Sequence, residues 1–213
     1  MESGATAYST IAASGQADLE VKRSRFVCTV QRVDSEESAR DAIARIRTQH
    51  YEAGHHCSAM IVGPDRSIER SSDDGEPAGS AGAPMLEVLR SRGLSDVVAV
   101  VSRWFGGTKL GTGGLSRAYG EAVRAALEHA TPVRRELIEE FVITVDHAHA
   151  GRLENDLRSR GIDIHATEYG DQARIHLGVL AGRRATVEST LAELTSGSIG
   201  LEATGTRWRD SAT

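Results

Sequence analysis

Val97-Val98-Ala99-Val100-Val101-Ser102-Arg103-Trp104-Phe105-Gly106-Gly107-Thr108-Lys109-Leu110-Gly111-Thr112-Gly113-Gly114-Leu115 passes from a valine-rich run through a glycine loop into a helical pattern. The run Val97 to Ser102 stays apolar almost to its end, which reads as a strand buried on both faces. After the loop, Leu115, Tyr119, Ala122, Val123, Ala126 and Leu127 recur at helical spacing. Glycine loses more conformational freedom on folding than any other residue. Gly106, Gly107, Gly111, Gly113 and Gly114 therefore imply a backbone at positive φ or a close approach by something else.

A loop between a buried strand and a helix start aims backbone N–H groups and the positive end of the helix at one place. That arrangement suits phosphate or another anion. Lys109 and Arg103 are the charges expected to assist, and Lys109 is one of only two lysines in the chain. Arg23 and Arg25, at the start of another strand, either extend this basic lip toward RNA phosphates or are simply solvated. Tight helix packing is the competing explanation for the glycines. The spacing matches neither a Walker loop nor a dinucleotide fingerprint.

Upstream, Ser71-Ser72-Asp73-Asp74-Gly75-Glu76-Pro77-Ala78-Gly79-Ser80-Ala81-Gly82 is acidic and leads into a second helical stretch. Asp73, Asp74 and Glu76 repel one another unless a cation, an arginine or a helix N-terminus compensates. Capping of the following helix is the plain reading; a cleft that binds a cation or a basic partner is the functional one. His55, His56 and Cys57 precede this loop. On a strand, His55 and Cys57 share one face and His56 takes the other, so the three cannot ligate one metal there. No H-E-x-x-H pattern is present. No catalytic residues, cofactor or metal site are expected, and Cys57 reads as a small core residue.

Around these segments, Arg25 to Val33 reads as a strand and Asp34 as the cap of a helix carrying Ala39, Ala42, Ile43 and Ile46. Cys57 to Val62 is a strand, with Ser67 to Glu69 able to pair back. Residues 1–24 alternate only weakly. Thr131-Pro132 marks the expected boundary between domains 1–132 and 133–213, the second of which should fold alone. Beyond it the pattern is β-α-β-β-α-β, which is ferredoxin-like. The fold class is α+β with two domains.

The 213 residues are 39% hydrophobic but only 4% aromatic, so the core rests on aliphatic side chains. Net charge is −5, with −2 before Pro132 and −3 from it onward. Neither half has the surplus of a general nucleic-acid binder, so any RNA contact must be a local patch. Cys28 and Cys57 make no disulfide framework. The polar N-terminus and the lack of a run of ~20 apolar residues lead us to expect a cytoplasmic protein without a membrane span.

Together with Lys22-Arg23-Ser24-Arg25-Phe26 and Ala53-Gly54-His55-His56-Cys57, the two glycine-rich segments resemble the IMPACT/YigZ family over Lys22 to Leu127. The chain after Pro132 is similar to the C-terminal domain of bacterial YigZ-type members. The resemblance implies an N-terminal domain like the second domain of ribosomal protein S5 and a ferredoxin-like C-terminal domain. It also implies a non-enzymatic binding protein linked to translation regulation, with RNA or a ribosome-associated protein as partner. The alternative is a hydrolase or transferase acting on a phosphorylated small molecule or peptide.

Overall fold

Alternation along the valine run decides how the first half is layered. In the computed structural model, which describes residues 4–211, contacts divide the chain into a first unit up to Arg134, joined by the residues from Asp210, and a second unit of Arg135–Arg209. The first unit contains β1 (Ala7–Ala13), β2 (Gly15–Val21), β3 (Ser24–Arg32), α1 (Glu36–Gln49), β4 (His55–Val62), β5 (Ile68–Ser72), α2 (Gly82–Ser91), β6 (Val97–Trp104) and α3 (Thr112–Glu128). Its main sheet has the order β2-β3-β6-β4-β5, with antiparallel neighbours. β6 is the central strand. Val98 and Val100 face a core that includes Ala39, Ala42 and Ile46 of α1. Val97, Ala99 and Val101 face the opposite core, with Met85 and Leu89 of α2 and Tyr119 and Val123 of α3. Helices on both faces are why the run is apolar without alternation.

Several expected boundaries shift, each for a local reason. Asp34 is not the cap of α1. Ser35 accepts the N–H of Ser38, whose hydroxyl accepts the Ser35 N–H in return, and this reciprocal box starts the helix one residue later. β1 and β2 form in the weakly alternating N-terminal residues. In β2, Ala17, Leu19 and Val21 are only partly buried against the core, so the apolar signal is faint. Lys22 and Arg23 make the β2–β3 turn with φ of 49° and 66°.

β7 (Thr131–Val145) runs through Thr131-Pro132 without a break, so the strand begins before the expected boundary. A proline near a strand start costs no central ladder bond. The residues of β7 up to Arg134 belong to the first unit and the rest to the second. The second unit continues with α4 (His147–Ser159), β8 (Asp163–Tyr169), β9 (Ala173–Leu180), α5 (Arg184–Thr195) and β10 (Glu202–Ser211). With the order β10-β7-β9-β8 it is a ferredoxin-like domain. Phe141, Ile143, Ile175, Leu177 and Val179 pack against Leu153 and Leu157 of α4 and Val187 and Leu191 of α5.

Candidate functional site

Each carboxylate of the acidic loop has a different partner inside the chain. Asp73 accepts the N–H groups of Gly79, Ala81 and Gly82 at 2.8, 2.9 and 2.8 Å. It thereby caps α2, whose own N-cap residue, Ala81, has no side chain to do so. Asp74 accepts from Arg47 and from the His56 N–H, both at 2.6 Å. Glu76 is buried and accepts from Arg103 at 2.6 Å and from the Tyr119 hydroxyl at 2.7 Å. Of the two readings, capping of the following helix is what Asp73 does, while Asp74 and Glu76 take arginines of the same chain, so the loop is tied down by its own charges. Among the described residues no group of three or more His, Cys, Asp or Glu is arranged to hold a metal ion.

Two of these carboxylates make stability pH-dependent. Burial pushes the Asp73 carboxyl up, but the Gly79, Gly82 and Ala81 N–H groups outweigh it and hold it below the usual range. Burial likewise opposes Asp74, and the Arg47 and His56 hydrogen bonds with the Arg47 charge outweigh it. Native values below the unfolded ones mean that unfolding takes up protons in acid. The stabilisation is present above the ordinary carboxylate pKa of about 4 and is lost as pH falls through the depressed values. The urea midpoint should already fall as pH drops below about 6.5, because His50 and His56 are held toward the neutral form in the fold, and the two carboxylates should add a further drop below about pH 4. Asp73→Asn combined with Asp74→Asn should start less stable near neutrality and lose less on acidification. An equal acid loss in that variant would refute the assignment.

Arg103 is not on a phosphate lip. The alternation that turns Val97, Ala99 and Val101 into the core turns Arg103 the same way, and its side chain is only 6% exposed. Beyond Glu76, Arg103 donates to the Ser24 hydroxyl at 3.3 Å, and Ser24 also accepts the Gly106 N–H at 3.1 Å. The guanidinium lies 5.5 Å from the Phe26 ring centroid and 5.6 Å from that of Phe105. Phe26 in turn meets Tyr119 edge to face at 5.2 Å. Burial pushes the Tyr119 hydroxyl far above its ordinary pKa, so it stays protonated as a donor. The acidic and glycine-rich segments thus meet through a buried bond network.

The histidines and Cys57 are also engaged. His55 Nδ1 lies 2.8 Å from the Asp74 carbonyl oxygen. His56 and His50 each place Nδ1 3.0 Å from the Ser102 hydroxyl, and burial, first among the causes, lowers both their pKa values toward the neutral form. His56 also lines a cleft of about 370 Å³ with Arg40, Arg47 and Arg70. Burial pushes the Cys57 thiol up to about 12, and it donates to the Asp73 carbonyl at 3.0 Å. That leaves it a protonated core residue rather than a nucleophile.

The glycine loop divides by cause. A Cβ on Gly106 would fall 2.0 Å from the Arg23 carbonyl carbon, so this glycine lets the β2–β3 turn close onto the loop. Gly114 packs against Leu110, and Gly107 and Gly111 have φ of 83° and 72°. Gly113 has neither reason. It sits in the first turn of α3 without positive φ, and nothing lies within 4 Å of the position a Cβ would take. Gly111 is the N-cap of α3, no side chain caps it, and its first turn has no acidic residue. Lys22, Arg23 and Lys109 are exposed. Arg25 is exposed too, but it is held by Asp18 at 2.6 Å and lies over Trp104 at 5.1 Å. Phe105, which no sequence pattern singles out, is 60% exposed beside this loop.

The Impact N-terminal domain matches residues 22–127, and the domain of unknown function DUF1949 matches residues 143–198. Over 190 residues the chain is 39% identical to IMPACT family member YvyE of Bacillus subtilis, covering 89% of this chain and 88% of that one. It is 36% identical over 184 residues to IMPACT family member YigZ of Escherichia coli, covering 85% and 90%. Similarity to the Protein IMPACT homolog of Saccharomyces cerevisiae is 36% over 93 residues, 41% of this chain and 35% of that one. A crystal structure of a hypothetical protein matches with a TM-score of 0.64 at 33% identity, over 93% of this chain and 98% of that one. Among the described residues no helix is long and apolar enough to cross a membrane.

Proposed function

Because this chain belongs to the IMPACT family, we propose that it is a non-enzymatic binding protein acting in translation regulation, and that it holds RNA phosphates at the start of α3. Gly113 carries this reading. A glycine inside a helix costs about 0.5–1 kcal/mol relative to alanine, and here neither conformation nor packing requires it. A missing side chain at an uncapped helix start lets an outside anion reach the backbone N–H groups. α2 offers the internal comparison, since Asp73 already occupies its N-terminus. Lys109 lies on the loop before α3, and the Lys22-Arg23 turn closes on Gly106. These residues replace the expected set that included Arg103 and Arg25. With a net charge of −5, phosphate contacts are few and local.

The hydrolase or transferase alternative would draw on Asp73, Asp74 and Glu76 with His55 or His56. Each of those carboxylates is held by a partner within the chain, which favours the binding reading.

The test uses labelled single-stranded RNA and fluorescence anisotropy across a salt series. Lys109→Ala should weaken binding by about 1.5–3 kcal/mol, the range for a hydrogen bond to a charged group. It should lower the salt slope by roughly one unit and leave stability unchanged. Gly113→Ala should raise stability by up to about 1 kcal/mol and yet weaken binding. If both variants bind as the parent does, α3 is not the phosphate site.

A further inference from the structure

We infer that Phe105 is a stacking platform for an unpaired RNA base, which makes the ligand single-stranded; this rests on the RNA reading above. Phe105 is 60% exposed, and Tyr51 and Tyr169 are the other large apolar side chains with comparable exposure among the described residues. An exposed ring alone is ordinary. This one sits between the end of β6 and a loop bearing Lys109 and the open start of α3. It is also supported. The Arg103 guanidinium lies 5.6 Å from its centroid, and Arg103 is fixed by Glu76 at 2.6 Å and by Ser24 at 3.3 Å. The Arg103 side chain is 6% exposed and paired with Glu76, so the ring rests on a cation committed to the interior. An aromatic ring braced by a buried arginine gives up little further freedom when a base stacks on it.

The cations supply the complementary half. Lys22, Arg23 and Lys109 are exposed, and the first two belong to the turn closed against Gly106, the residue after Phe105. Aromatic rings set among cations that track a backbone are how proteins hold single strands without reading sequence. A duplex keeps its bases stacked on one another and offers no free face to Phe105.

The experiment measures full-length protein binding to labelled oligouridylate, oligoadenylate and an RNA duplex of equal length. Wild type should prefer both single strands to the duplex. Phe105→Ala and Phe105→Leu should each lose about 5- to 100-fold on single strands, with duplex binding and salt slope unchanged. Phe105→Tyr should bind as wild type. Thermal melts should show all three variants folded, because the side chain is mostly exposed. If Phe105→Leu binds like wild type, apolar contact rather than stacking is at work and the inference fails. If Lys109→Ala weakens binding while Phe105→Ala does not, the phosphate reading stands and the stacking falls. If wild type binds none of the three RNAs, both fall.

Discussion

Glu76→Ala should destabilise the protein by about 3–5 kcal/mol, the cost of leaving one partner of a buried ion pair behind. The Glu76 and Arg103 side chains are 3% and 6% exposed. Removing the carboxylate leaves the guanidinium with the Ser24 hydroxyl at 3.3 Å as its remaining side-chain hydrogen-bond acceptor among the described residues. Its Nε already lacks one. The Tyr119 hydroxyl, 2.7 Å from Glu76, loses its carboxylate acceptor in the same step. Tyr119→Phe should cost less, about 1.5–3 kcal/mol, because it removes one hydrogen bond to the carboxylate and leaves the ion pair intact. Arg103→Met added to Glu76→Ala should recover part of the loss, since the uncompensated charge is then gone. Urea unfolding monitored through the tryptophans checks all three. A loss below about 1 kcal/mol for Glu76→Ala would mean the pair is screened by water and the network does not brace the two segments.

What is legible in the sequence is local and periodic. The valine run announces a strand covered on both faces, and β6 is that strand. The β-α-β-β-α-β order is readable because each element after Phe141 has its own period and a turn to end it. Pairings at long range leave no such trace. Glu76 and Arg103 are 27 positions apart, and nothing near either names the other. Even so, the alternation that puts Val97, Ala99 and Val101 on one buried face extends to Arg103 two positions on. At that position the strand's period outweighs the preference of a charge for solvent, because Glu76 waits inside to pair with it. β2 is faint because its inward residues are only partly covered. The glycine loop is legible as unusual, but only coordinates separate Gly106, needed for close approach, from Gly113, where a Cβ would meet none of the described residues within 4 Å.

Gly106→Ala should cost about 3 kcal/mol, the upper end of the usual overpacking range. The new Cβ would fall 2.0 Å from the Arg23 carbonyl carbon, 2.1 Å from its oxygen and 2.4 Å from the Ser24 nitrogen. All three are backbone atoms, so no flexible side chain can yield, and the β2–β3 turn must move off the loop. That turn is itself costly. Lys22 and Arg23 both occupy the left-handed region, at φ of 49° and 66°, where Asn-Gly is the favoured pair. Two basic residues held there against propensity fit a turn kept for its charge. Lys22→Asn with Arg23→Gly should therefore act in the opposite sense on the fold, raising stability, while lowering both RNA affinity and the salt slope by up to two phosphate contacts. Gly106→Ala should lower stability and affinity together. Urea midpoints and a salt series on both variants separate the effects. If the Asn-Gly turn binds RNA with unchanged affinity and slope, the turn is a structural corner and its charges have no part in binding.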